Sequence, residues 1–112
     1  LYLNANAENG FLPMPNSDIH ADLIYLCSPN NPTGALMPEE TLRGIVGIAR
    51  RVGAYVICDE VYRFLTQEEG YPESIADLYE KGIAVGSMSK VFSLAGLRLG
   101  WIATRSTAIT TQ

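Results

Sequence analysis

The sequence predicts an α/β fold built on a mostly parallel sheet. Three observations carry that expectation: three unbroken apolar runs of strand length, an amphipathic helical stretch between the first two, and a switch to polar residues at the C-terminal end of each run. Continuous rather than alternating apolar strands imply burial on both faces, and strand–helix–strand order implies parallel pairing. The 112 residues, 47% hydrophobic and 18% charged, suffice for one modest domain and exclude a disordered chain.

Leu1 to Ala21 opens with a short strand-like Leu1-Tyr2-Leu3. Asn4, Asn6, Asn9, Gly10, Pro13 and Pro15 follow, a density of turn residues that reads as a connector. Leu23-Ile24-Tyr25-Leu26-Cys27 is the first strand. The stretch Ser28-Pro29-Asn30-Asn31-Pro32-Thr33-Gly34 closes it, because two prolines and a glycine continue neither strand nor helix. Pro38 suits a first helical turn, Glu39 and Glu40 its positive end, Arg50 and Arg51 its negative end, and Gly53 its C-terminal cap. Leu42, Ile45, Val46, Ala49 and Val52 share one face of that helix.

The second strand is Ala54 to Cys58, ending in Asp59-Glu60, and the third is Ile83 to Val85, ending in Gly86-Ser87-Met88-Ser89-Lys90. Between them, Ile75, Leu78 and Tyr79 predict a short helix around Glu73 to Glu80. A last strand, about Arg98 to Thr104, follows Lys90 after too few residues for a parallel crossover, so it is expected to run antiparallel.

Eight Lys+Arg against twelve Asp+Glu give a net charge of −4, which supplies no field to hold nucleic acid or an acidic membrane. Any bound phosphate must be gripped locally. Two cysteines, no leader pattern and no apolar run of the roughly 20 residues that span a bilayer point to a reducing, cytoplasmic setting.

In open parallel sheets, ligands bind outside the carboxyl ends of the strands. Those ends present Asn31, then Asp59 with Tyr62, then Ser87 with Lys90, and Arg98 on the return. Adjacent strands about 4.8 Å apart would put the outer tips roughly 10 Å from each other, the width of one small heterocycle. The single His20 and the well-separated Cys27 and Cys58 supply no metal site, and neither GxGxxG nor the phosphate-loop lysine pattern is present. What remains is a lysine able to form a Schiff base, a carboxylate able to pair with a pyridinium nitrogen, and an anion grip.

In order and spacing, Ser-Pro-Asn-Asn-Pro-Thr-Gly at 28–34, Asp-Glu-Val-Tyr at 59–62, and Ser-Met-Ser-Lys at 87–90 with Arg98 and Gly100 resemble the class I/II aminotransferases. These are the fold-type I enzymes dependent on pyridoxal 5'-phosphate, and the likeness runs from about Leu23 to Thr104. The resemblance implies a fragment of a three-layer α/β/α sandwich with one antiparallel strand. Residues 22–104 would carry the motif-bearing core of a partial large domain, 1–21 the connector, and 105–112 the start of the next element.

It further implies that Lys90 holds the cofactor aldehyde as a Schiff base and shuttles a proton, and that Asp59 keeps the ring nitrogen protonated. Asn31 and Tyr62 would hydrogen-bond the ring's phenolic oxygen, and Ser87 and Arg98, with Ser89 as a lesser candidate, would bind the phosphate. A cis Asn31-Pro32 peptide is part of the same pattern.

The implied reaction is transamination between an amino acid and a 2-oxo acid in a homodimer, with carbon–sulfur β-lyase chemistry or a transcription regulator's effector domain as alternatives. The 112 residues alone are expected to show no turnover. For Arg98, a salt bridge to Asp59 or Glu60 competes with the phosphate role. Cys27 and Cys58 read as small buried hydrophobes, His20 as solvated, Gly44 and Gly47 as sites of close helix packing, and Trp101 as core.

Overall fold

A computed structural model describes residues 4–13, 18–65 and 70–110; the strand-like Leu1–Leu3 lies outside them. The described strands are β1 (Leu23–Cys27), β2 (Tyr55–Asp59), β3 (Gly82–Ser87) and β4 (Gly100–Thr104), and the α-helices are α1 (Glu39–Val52), α2 (Ile75–Leu78) and α3 (Thr107–Thr110). Short 3-10 turns form at Ala7–Asn9 and Ala95–Leu97. The strands lie side by side in chain order, β1 parallel to β2, β2 parallel to β3, and β4 antiparallel to β3 as expected.

Helix α1 starts one residue after Pro38, which occupies the N-cap, and stops at Gly53 in the left-handed region with φ of 76°. Its predicted face, Leu42, Ile45, Val46 and Ala49, is buried against Ile24, Leu26, Val56 and Cys58 of β1 and β2. At about 1.5–3 kcal/mol for each large apolar side chain removed from water, this seam is the main source of stability in the described chain. Gly44 and Gly47 are exposed with open space where a Cβ would stand, so the close packing expected of them is absent.

Helix α2 is shorter than the sequence suggests: it spans Ile75–Leu78, not Glu73 to Glu80. Ser74 caps its start, and Tyr79 leaves the helix in an extended conformation, sending its hydroxyl to donate to the Ala54 carbonyl at 2.8 Å. That buried hydrogen bond joins α2 to the start of β2. Arg105 donates to the carbonyls of Ala76 and Asp77, the last turn of α2. Gly82 allows the close approach of α2 to β3, because a Cβ there would collide with the Ile75 carbonyl.

The strand bounds shift by one or a few residues from those expected, since β2 includes Asp59, β3 extends to Ser87, and β4 starts at Gly100. Arg98 therefore lies before β4, in a left-handed conformation with φ of 52°. Burial on both faces does not hold for the described residues. In β1 and β2 burial alternates, with Leu23 at 51% and Tyr25 at 64% exposure on the face away from the helices. Two of the three expected layers are present among the described residues.

Trp101 is also not core: it stands 49% exposed, its indole laid over Gly86 and edge-on to Phe92. The connector contributes more than expected, since Ile19 is buried and Leu12 packs on the core. No described helix is long and apolar enough to cross a membrane.

Candidate active site

The C-terminal ends of β1, β2 and β3 lie next to one another, so the three predicted motifs meet along one edge of the sheet. Their relative heights are fixed by register: Cys27 pairs with Asp59, and Asp59 with Val85. Beyond Cys27 the chain is held down at once. The Ser28 amide donates to the Asp59 carbonyl at 3.0 Å, and the buried Ser28 hydroxyl accepts from the Met37 amide at 3.0 Å.

Within the loop, Thr33 donates to the Asn30 side chain at 2.9 Å and the Asn30 amide donates to the Ala35 carbonyl at 2.9 Å. Gly34 takes the positive φ of 73° that the turn requires. Asn31-Pro32 is cis, as the motif implied, and so is Ser28-Pro29. This stiff loop presents Asn31 outward, where its amide nitrogen donates to the Tyr62 hydroxyl at 3.3 Å.

Asp59 ends β2 half-buried, and its carboxylate accepts the Val61 amide at 3.0 Å, which turns the chain sharply toward Tyr62. Lys90, exposed beyond the end of β3, places its ammonium 5.7 Å from the centre of the Tyr62 ring. Asn31, Tyr62 and Lys90 thus form one chain of contacts across three strand ends. Because Asn31 donates to the phenol oxygen, Tyr62 keeps its own O–H for a further acceptor.

Ser87, Ser89 and Arg98 line one open cavity with Gly100 and Trp101. The Ser87 hydroxyl accepts the Ser89 amide at 3.3 Å, and the Arg98 guanidinium donates to the Ala95 carbonyl at 3.3 Å. The competing salt bridge of Arg98 with Asp59 or Glu60 does not form; Glu60 is paired with Arg63 at 3.7 Å.

Cys27 and Cys58 are free thiols on opposite faces of neighbouring strands. Cys58 is buried as expected, and desolvation pushes its thiol up to about 12, a group inert at neutral pH. Cys27 is only half-buried, on the open face beside Asp59; burial raises its thiol first, and the Asp59 charge adds to this against the opposing Asn31 amide. Tyr25 shares that face with Asp59. Its hydroxyl is raised by burial and then by the Asp59 carboxylate. His20 is exposed. Among the described residues no group of His, Cys, Asp and Glu could hold a metal ion.

The donor set matches a phosphorylated pyridine aldehyde: an amine for the aldehyde, a carboxylate for the ring nitrogen, an amide and phenol for a ring oxygen, and hydroxyl plus guanidinium for a phosphate. Sequence reasoning missed Glu60 and Arg63, which anchor the turn carrying Tyr62, and the Tyr25 and Cys27 neighbours of Asp59. The three-residue spacing of Glu60 and Arg63 was a readable signal of an ion pair.

A parallel sheet with one antiparallel edge strand, presenting this donor set at its strand ends, defines a family. Residues 7–112 match the aminotransferase class I and II family, and the chain belongs to it. It is 39% identical over 103 residues to the LL-diaminopimelate aminotransferase of Protochlamydia amoebophila, covering 89% of this chain and 25% of that protein. A PLP-dependent aminotransferase from Streptococcus suis superposes with a TM-score of 0.82 at 40% identity, over 96% of this chain and 29% of that one. The PLP-bound C-S lyase of Staphylococcus hominis superposes with a TM-score of 0.73 at 27% identity, over 80% and 24%. The chain spans between a fifth and a third of the length of these relatives.

Proposed function

We propose that the full-length protein uses pyridoxal 5'-phosphate to transfer an amino group from an amino acid to a 2-oxo acid, with Lys90 as the residue that binds the cofactor aldehyde. The observation that carries this reading is the meeting of Asn31, Tyr62 and Lys90 at three adjacent strand ends, with Asp59 at the base of the same turn. When bound, the cofactor supplies an electron sink for the charge that develops at the substrate Cα.

The protein's part is to aim charge and protons. Lys90, as a neutral amine, would hold the cofactor aldehyde, and when free the same nitrogen would carry the substrate Cα proton as general base and then acid. The Asp59 carboxylate stabilises a proton on the ring nitrogen, since an anion beside a cation favours the charged pair. Asn31 and Tyr62 hydrogen-bond the phenolic oxygen, and Ser87 with Arg98 holds the phosphate, Arg98 through its planar fork.

Both cysteines are free, as a reducing cytoplasm allows. The reading includes a homodimer, with neither nucleic acid nor a membrane as partner. The C-S lyase likeness supports a second reading, β-elimination from a sulfur amino acid on the same residues.

The experiment is to load the full-length protein with the cofactor and record the visible absorbance of the lysine-bound form. Lys90→Ala is expected to abolish that band; an identical band in the variant would sink the assignment. Asp59→Ala should keep the band yet slow single-turnover proton transfer by roughly 10²-fold or more. An amino-donor screen with diaminopimelate among the donors separates the two reactions. A transferase needs a 2-oxo acid acceptor for turnover, whereas a lyase releases oxo acid from a sulfur amino acid without one.

A further inference from the structure

Glu60 follows Asp59 and has the look of a solvated acidic exit from β2. Its side chain is only 10% exposed. The carboxylate accepts the Ser74 hydroxyl at 3.0 Å and the Ile75 amide at 3.0 Å, at the first turn of α2, and faces the Arg63 guanidinium at 3.7 Å. Arg63 in turn donates to the Pro72 carbonyl at 2.7 Å and lies against the paired rings of Phe64 and Tyr71, 5.0 and 5.6 Å from their centres.

A carboxylate withdrawn from water costs several kcal/mol unless its partners are well placed, so this one specifies a geometry. Tyr62 sits between the two anchored residues, in a turn closed by the Arg63 amide on the Glu60 carbonyl at 2.8 Å. The Glu60 amide donates to the Val85 carbonyl at 2.9 Å, which ties the same point to β3. The phenol itself has one described hydrogen bond, the 3.3 Å contact from Asn31. Where it points therefore depends on the turn.

We propose that Glu60 is a positioning residue: by binding Ser74, Ile75 and Arg63 it fixes the 60–63 turn and holds the Tyr62 hydroxyl where it can reach the cofactor's phenolic oxygen. The inference rests on the functional reading above. It makes the segment from Pro72 to Ile75, remote from the chemistry, a support of the site.

The test reads the pH midpoint of the Lys90-dependent visible absorbance in the cofactor-loaded, full-length protein, together with cofactor Kd and Tm. Hydrogen bonds to the phenolic oxygen weaken its hold on the proton of the lysine-derived nitrogen, so loss of Tyr62 raises the midpoint. Glu60→Ala is expected to raise it by roughly one pH unit, in the direction of Tyr62→Phe. Simple removal of a nearby negative charge would lower it. Glu60→Gln keeps an acceptor for Ser74 and Ile75 and should restore most of the normal midpoint. The Glu60→Ala/Tyr62→Phe pair should shift no further than Tyr62→Phe alone.

A normal midpoint in Glu60→Ala with only a lower Tm would overturn the proposal, as would additive shifts in the pair. Should Glu60→Ala not fold, Ser74→Ala removes one tether and no charge. An upward shift there supports the proposal, and an unmoved midpoint overturns it. Absence of any Lys90-dependent band in the unaltered protein would instead overturn the functional reading, and this inference with it.

Discussion

The two faces of the sheet differ sharply. On the helix side Val56 and Ala49 have no exposed surface and Ile24, Leu26 and Cys58 are nearly closed off. On the other side, in the same strands and one residue away, Leu23 and Tyr25 stand more than half exposed. The strand sequences do not separate the two faces, because apolar residues fill both. What separates them is the partner: α1 and α2 follow β1 and β2 in the chain and fold back over one face only. A continuous apolar strand thus states a requirement for two covering layers, and the described residues supply one.

The largest effect is expected on the closed side. Ile45, 1% exposed in the middle of α1, faces the buried seam, and Ile45→Ala should cost the full-length protein about 2–5 kcal/mol of unfolding free energy. Urea unfolding at fixed cofactor concentration measures it, and a loss below about 1 kcal/mol would mean the seam is less complete than its burial indicates. Leu23 tests the open side. The three-layer expectation puts further chain over it, so Leu23→Ala should cost about 2 kcal/mol in the full-length protein. A loss below about 0.5 kcal/mol would show that this face stays in water, as it does here.

Much of the fold was legible because it depends on local rules. The burial stripe of α1, the Gly53 stop and the antiparallel β4 follow from spacing, a positive φ and a short connection. Helix α2 was overestimated because periodicity cannot show that the Tyr79 hydroxyl is drawn to the Ala54 carbonyl, which ends the helix early. Trp101 was misplaced for a similar reason: Gly86 makes room for the indole against the sheet, but no described element covers it.

Asn31, Asp59, Tyr62 and Lys90 were readable because strand ends focus them. The tie of Glu60 to α2 was not, because Ser74 and Ile75 lie 14 and 15 residues further on, across a turn. Nothing in Asp59-Glu60 says which carboxylate faces the ligand edge and which is tied to α2.

The smallest expected effect lies on the outer surface of the closed side, where Arg50 near the end of α1 bonds Glu80 just after α2 at 2.9 Å. The Arg50 hydrogen bond holds the Glu80 carboxyl below its ordinary 4.5. A carboxylate whose folded value is depressed stabilises the fold at every pH above the unfolded value, and that contribution fades as pH falls through the folded one. Glu80→Gln should therefore be slightly less stable than the unaltered protein at pH 7 and equally so at pH 6, with the gap closing below about pH 4.5. Both side chains are more than half exposed, so raising ionic strength should narrow the gap at pH 7 as well. A gap that is unchanged at pH 3.5 and in high salt would assign the effect to the placing of Arg50 over the Tyr79 ring, 5.4 Å from its guanidinium, rather than to charge.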